Sequence, residues 1–136
     1  MMSNAAWQLQ TALITNLKAD ANLLILLGSG AVFDEPARQQ ALPYIVLEVH
    51  RGADWSTSTE GGSTFVVQVR IWSSYLGRKQ ILEIAEAVEQ VLVTTSVNLA
   101  DYHLINLRVQ NTEIGREQDG RTYLSVLRFR AVTEPI

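Results

Sequence analysis

Cysteine is absent from the 136 residues, so neither a disulfide framework nor a thiolate zinc site is available. Histidine occurs only as His50 and His103. Neither has Asp, Glu or His at a spacing that would bring metal ligands onto one face of an element, and both read as solvated or interface residues. No apolar stretch approaches the ~18 residues of a membrane span, and the N-terminus lacks a basic region followed by a long apolar run. The expectation is a protein made and used in a reducing cytoplasm or inside an assembly, away from membranes. Positive charge is in deficit, with a formal net charge of -3, which argues against a protein whose main task is neutralising phosphates.

What is present suits one globular domain over residues 1–136, long enough to bury roughly two thirds of its unfolded surface without staples. Hydrophobic residues make up 47% and charged residues 18%, too apolar a balance for a disordered chain. Nine of the eleven basic residues are arginine. Its planar fork forms paired hydrogen bonds and is enriched at protein interfaces.

Between residues 64 and 93 the spacing of apolar residues switches from a period of two to a period of 3.6. Phe65, Val67, Val69 and Ile71 alternate with Gln68, Arg70 and Trp72, the pattern of a strand with one buried face. After Ser73, Ser74 and a turn at Gly77, Ile81, Ile84, Ala85, Val88 and Leu92 recur at helical spacing, with Glu83, Glu86 and Glu89 on the opposite side. This predicts a helix over residues 78–93.

Upstream, Ala6, Leu9, Leu13 and Leu17 form the stripe of a first amphipathic helix, widened by Trp7 and Ile14. Asp20 is placed to cap a second, short helix ending at Leu27, with Gly28 and Gly30 terminating it. Residues 31–33 allow only a short edge strand. Pro43 fixes the entry to the next strand, where Ile45, Leu47 and Val49 alternate with Glu48 and His50. Residues 51–63 are a polar, Gly/Ser/Thr-rich connection far longer than a hairpin needs. Downstream, Ile105, Leu107 and Val109 predict one strand, and Leu127, Phe129 and Ala131 the last. Asp119-Gly120 is a strong turn signal, predicting a hairpin whose tip protrudes over residues 111–121. The fold class is therefore α+β: N-terminal helices and a mostly antiparallel sheet of four to five strands, with one long helix packed on one face, in the order α-α-β-β-β-α-β-β.

Several of these segments also carry a resemblance. The first helix running into Leu17-Lys18-Ala19-Asp20, the strand entry Leu42-Pro43-Tyr44-Ile45-Val46-Leu47, Asp54-Trp55-Ser56-Thr57, and Val69-Arg70-Ile71-Trp72-Ser73 leading to Gly77-Arg78-Lys79 are among them. Leu104-Ile105-Asn106-Leu107-Arg108 and Leu127-Arg128-Phe129-Arg130-Ala131 complete the set. Together they resemble the tail-completion or tail-terminator proteins of long-tailed, non-contractile bacteriophages and phage-derived gene transfer agents. The likeness covers nearly the whole chain, though its motifs determine fold rather than chemistry. It implies a structural protein of the virion tail, assembled in the bacterial host cytoplasm as a homohexameric ring. That ring would stop polymerisation of the major tail tube protein and meet a head completion or connector protein, with double-stranded DNA passing through its lumen without specific binding.

The residues themselves offer little chemistry. Glu48 and His50 share a strand face near Asp54, but a strand leading into a flexible loop is a poor platform for acid/base catalysis. Gly61-Gly62-Ser63 lacks a phosphate-binding lysine and precedes a strand rather than a helix. No cofactor is implied and an enzyme is the weakest reading. The polar face of the sheet says more. Arg70, Arg108, Arg128 and Arg130 project opposite Phe65, Val69, Leu107 and Phe129, and Trp72 with Leu124 or Val126 joins them. A solvated sheet face is the plain alternative, and a nucleic-acid surface sits poorly with the net charge. Arginine beside tryptophan, on a face that needs no apolar residues, favours a protein interface. Trp55, in the long loop, is expected to dock on its own subunit or on a neighbour in the ring or tail tube. A small ligand-binding or regulatory module is the alternative function, and it needs a concave apolar pocket.

Overall fold

The computed structural model describes residues 4–28, 32–35, 41–51, 63–74 and 78–136. Two helices open the chain, α1 (Ala5–Ala19) and α2 (Ala21–Leu27), followed by the strands β1 (Val32–Phe33), β2 (Tyr44–Arg51) and β3 (Ser63–Ser74). The long helix α3 (Lys79–Thr94) precedes the hairpin of β4 (Tyr102–Arg116) and β5 (Thr122–Pro135). Element order and class are those expected from the sequence.

Local chemistry accounts for the helix boundaries. The Asn4 side chain accepts a hydrogen bond from the Ala6 N–H at 2.7 Å, and Asp20 accepts from the Leu23 N–H at 2.9 Å. Each satisfies a donor that the first turn leaves unpaired. Gly28 ends α2 with a φ of 61°, a backbone region glycine enters without a Cβ clash. Gly30 and Gly77 lie outside the described residues.

The five strands form one sheet in the order β1-β2-β3-β5-β4. Only the short β1 runs parallel to its neighbour; the other three pairings are antiparallel. All three helices join the core on one side of the sheet. Leu9, Leu13 and Leu17 of α1, Leu23 and Leu27 of α2, and Ile81, Ile84 and Val88 of α3 are fully or almost fully buried. Opposite them stand Ile45, Leu47, Val67, Val69, Leu127 and Phe129. Polar contacts tie the helix layer to the α3–β4 connection and to β3. Gln8 donates to Asp101 at 2.8 Å, Asn16 donates to the Ser96 carbonyl at 3.0 Å, and Ser73 at the end of β3 donates to Gln80 in α3.

Four local expectations are corrected. Ser73 and Ser74 belong to β3, paired with Tyr123 and Thr122, rather than to the turn. The hairpin does not splay at residue 111: its ladder continues to Arg116 opposite Tyr123. The turn is thus confined to residues 117–121, with Gly120 at a φ of 69°. The third concerns β4, where the register shifts between Leu104 and Asn106. Such a bulge inserts one residue into the alternation, so Ile105 is 54% exposed while Leu104, Leu107 and Val109 pack on the core. Trp7, expected on the apolar stripe of α1, is instead 53% exposed.

Candidate interface surface

Because every helix lies on one side, the second face of the sheet has no covering layer among the described residues. Strand alternation sends Tyr44, Val46, Glu48 and His50 of β2 to that face, with Val66, Gln68, Arg70 and Trp72 of β3. Leu124, Val126, Arg128 and Arg130 of β5 and Arg108 and Glu113 of β4 share it.

Register sorts these side chains into rows. In the first, Tyr44, Trp72 and Leu124 are cross-strand neighbours. Tyr44 stacks on Trp72 with centroids 4.9 Å apart and rings inclined by 19°, and it meets Phe33 edge-on at 6.4 Å. Both geometries suit the ring quadrupoles. Burial pushes the Tyr44 phenol above its ordinary pKa; the Arg70 charge acts in the opposite sense, and Glu117 adds a smaller upward push.

In the second row, Val46 lies between Phe33 and Arg70 and is fully buried. The Arg70 guanidinium sits 5.4 Å from the Trp72 ring centroid and donates through Nη2 to Glu48. Its Nε is buried without a hydrogen-bond partner among the described residues. Glu48 in turn lies 3.8 Å from His50 Nε2, so the pair considered for acid/base work sits beside Arg70, which pairs with Glu48. Asp54, the third member considered, lies outside the described residues, as do Trp55 and the Gly61-Gly62 dipeptide.

The remaining arginines divide into two kinds. Arg128 reaches Glu113 at 3.6 Å. Arg108 and Arg130 stand directly opposite each other in the β4–β5 ladder, and neither forms an ion pair among the described residues. Like charges facing across a ladder repel.

The structure therefore brings Arg70, Trp72, Arg108, Arg128 and Arg130 onto one face, together with both Leu124 and Val126. Sequence reasoning overlooked Tyr44 and Phe33, although the alternation that buries Ile45 and Leu47 already turned Tyr44 outward. Among the described residues no group of three His, Cys, Asp or Glu is arranged to hold a metal ion, and no helix is long and apolar enough to cross a membrane. Two grooves, of about 380 and 370 Å³, lie between α2 and α3 and beside α1. Both are open to solvent, and most of their lining residues are polar.

Comparison with known proteins adds three findings. The family model described as tail completion protein gp17 matches residues 11–134. A chain of the virion of a native gene transfer agent particle is similar at 28% identity with a TM-score of 0.80, covering 97% of this chain and 99% of that one. The gp17 protein of bacteriophage SPP1 shares the fold at 19% identity and a TM-score of 0.61, covering 93% of this chain and 89% of that one. No curated protein sequence matches.

Proposed function

The chain belongs to the tail completion protein gp17 family and is a structural protein of the virion tail, and from that premise we propose how it terminates the tail. Residues 1–136 act as a single domain that closes into a homohexameric ring by head-to-tail contacts between different surfaces of one subunit. One side of the ring caps the major tail tube protein, and the other presents a surface to a head completion or connector protein. Double-stranded DNA crosses the lumen without specific binding, and assembly takes place in the host cytoplasm. No catalytic step is part of this role.

The observation that carries the ring is the sheet face that no layer covers among the described residues. Trp72, Tyr44 and Leu124 share that face with four arginines, Arg70 packing 5.4 Å from the Trp72 ring, and aromatic residues with arginine dominate the binding energy of protein interfaces. Arg70, Trp72, Arg108, Arg128 and Arg130 are the proposed contact residues on this face, and Trp55 of the long loop is proposed to dock on its own subunit or on a neighbour in the ring or tail tube. These two grooves favour no small-ligand module, because each is open to solvent and lined mainly by polar side chains.

Deleting the gene in cells that produce the particles tests the reading. The expected result is tail tubes of uncontrolled length that fail to join heads, seen by electron microscopy. Tails of normal length attached to filled heads in the deletion would refute it.

A further inference from the structure

The subunit presents unlike surfaces on its two sides. On the sheet side, Arg108 and Arg130 face each other without an acidic partner among the described residues, and Val66 and Val132 lie beside Arg130. On the helix side, α3 turns Glu86 outward and Glu89 beside it, and neither makes an ion pair among the described residues. Around those carboxylates Leu82 is 47% and Val93 46% exposed, where a solvated helix face needs no apolar residue.

The two charge pairs match in spacing as well as in sign. Residues i and i+3 of a helix place their Cβ atoms about 5–6 Å apart, and directly opposed residues of an antiparallel ladder about 4.5–5.5 Å. Each guanidinium can therefore meet one carboxylate at the same time, in the forked geometry arginine favours.

We infer that the Arg108–Arg130 pair of one subunit docks on Glu86 and Glu89 of a second copy of this chain, with Val66 and Val132 against Leu82 and Val93. The contact relieves the repulsion between the two arginines and covers apolar surface on both sides. Its halves lie on opposite sides of a two-layer subunit, so it is head-to-tail and repeats around a closed ring. The inference rests on the proposed ring and adds which surfaces meet in it.

A charge swap in trans tests the contact. One variant carries Arg108→Glu with Arg130→Glu, the other Glu86→Arg with Glu89→Arg. All four positions lie outside the core, so each variant should melt like the parent. Sedimentation should show a ring for the parent, loss of the ring for each variant alone, and its return when the two are mixed in equal amounts. In the mixture every sheet face meets a helix face of opposite sign. Rings from either variant alone, or a mixture that stays dissociated while the parent assembles, would overturn the contact and leave the ring reading standing. A parent that never assembles would overturn both.

Should a swapped variant fail to fold, the cysteine-free chain offers a second route. Glu86→Cys combined with Arg130→Cys places the two thiols on opposite sides of the subunit, so oxidation of assembled protein should give a ladder of cross-linked subunits. Assembled protein that gives no ladder would overturn the contact.

Discussion

Phe129 and Arg130 are consecutive residues of β5 with opposite expected consequences. The Phe129 ring is fully buried, with Val67 and Val109 as its cross-strand neighbours. Replacing it with alanine forfeits roughly 2–3 kcal/mol of apolar transfer and leaves a cavity in the centre of the core. Together these destabilise the fold by about 3–5 kcal/mol, a large part of the roughly 5–15 kcal/mol available to a domain. With a urea slope of about 2 kcal/mol/M, the unfolding midpoint of the dissociated subunit should fall by roughly 1.5–2.5 M. Arg130 lies on the uncovered face opposite Arg108. Its replacement with alanine removes a like-charge contact, so the stability should stay within about 0.5 kcal/mol of the parent or rise slightly. Equal losses in the two variants would refute the assignment of strand faces, and with it the interface built on that assignment.

Two further outcomes follow from local geometry. Ser125 is fully buried with its hydroxyl unpartnered among the described residues, between Ile71 and Ile114 in the ladder; Ser125→Ala should be neutral or stabilising by up to about 1 kcal/mol in thermal melts, and a loss greater than that would mean the hydroxyl has a partner. Asp119 accepts from the Arg121 and Thr122 N–H groups at 2.8 and 3.0 Å and from the Thr122 hydroxyl at 2.9 Å. The Arg121 N–H is the largest of the causes that hold its carboxyl below the ordinary range. A lowered carboxyl pKa contributes stability above the ordinary value that is lost as pH falls through the folded one. Hydrogen exchange should therefore show residues 117–122 fraying on acidification before the core, and Asp119→Ala should produce the same fraying at neutral pH. Unchanged exchange at Glu117 and Thr122 in that variant would remove Asp119 from the turn's support.

Most of the architecture was legible because one buried face imposes a clean period. In β3 the alternation from Phe65 to Ile71 named the core side without ambiguity, and in α3 the spacing of Ile81, Ile84, Val88 and Leu92 did the same. Periodicity failed where the chain adds a residue or leaves the core. Ile105 sits in a bulge, and an alternation count carries an extra residue onto the wrong face. Asn111, Glu113 and Gly115 read as a polar tip because they lie on the uncovered face of an edge strand, while Thr112 and Ile114 keep to the core side of the ladder. The arginine-rich face was visible residue by residue. The pairing of Arg70 with Glu48, the stacking of Tyr44 on Trp72 and the opposition of Arg108 to Arg130 depend on register, which no single strand's sequence encodes.

The most direct test of the tail-terminating role is the position and stoichiometry of this chain in intact particles, read by electron cryomicroscopy. A single six-subunit ring at the head-proximal end of every tail, its sheet faces against the helix layers of neighbouring subunits, is the predicted result. Copies distributed along the tube, or found only at the end distal to the head, would contradict it.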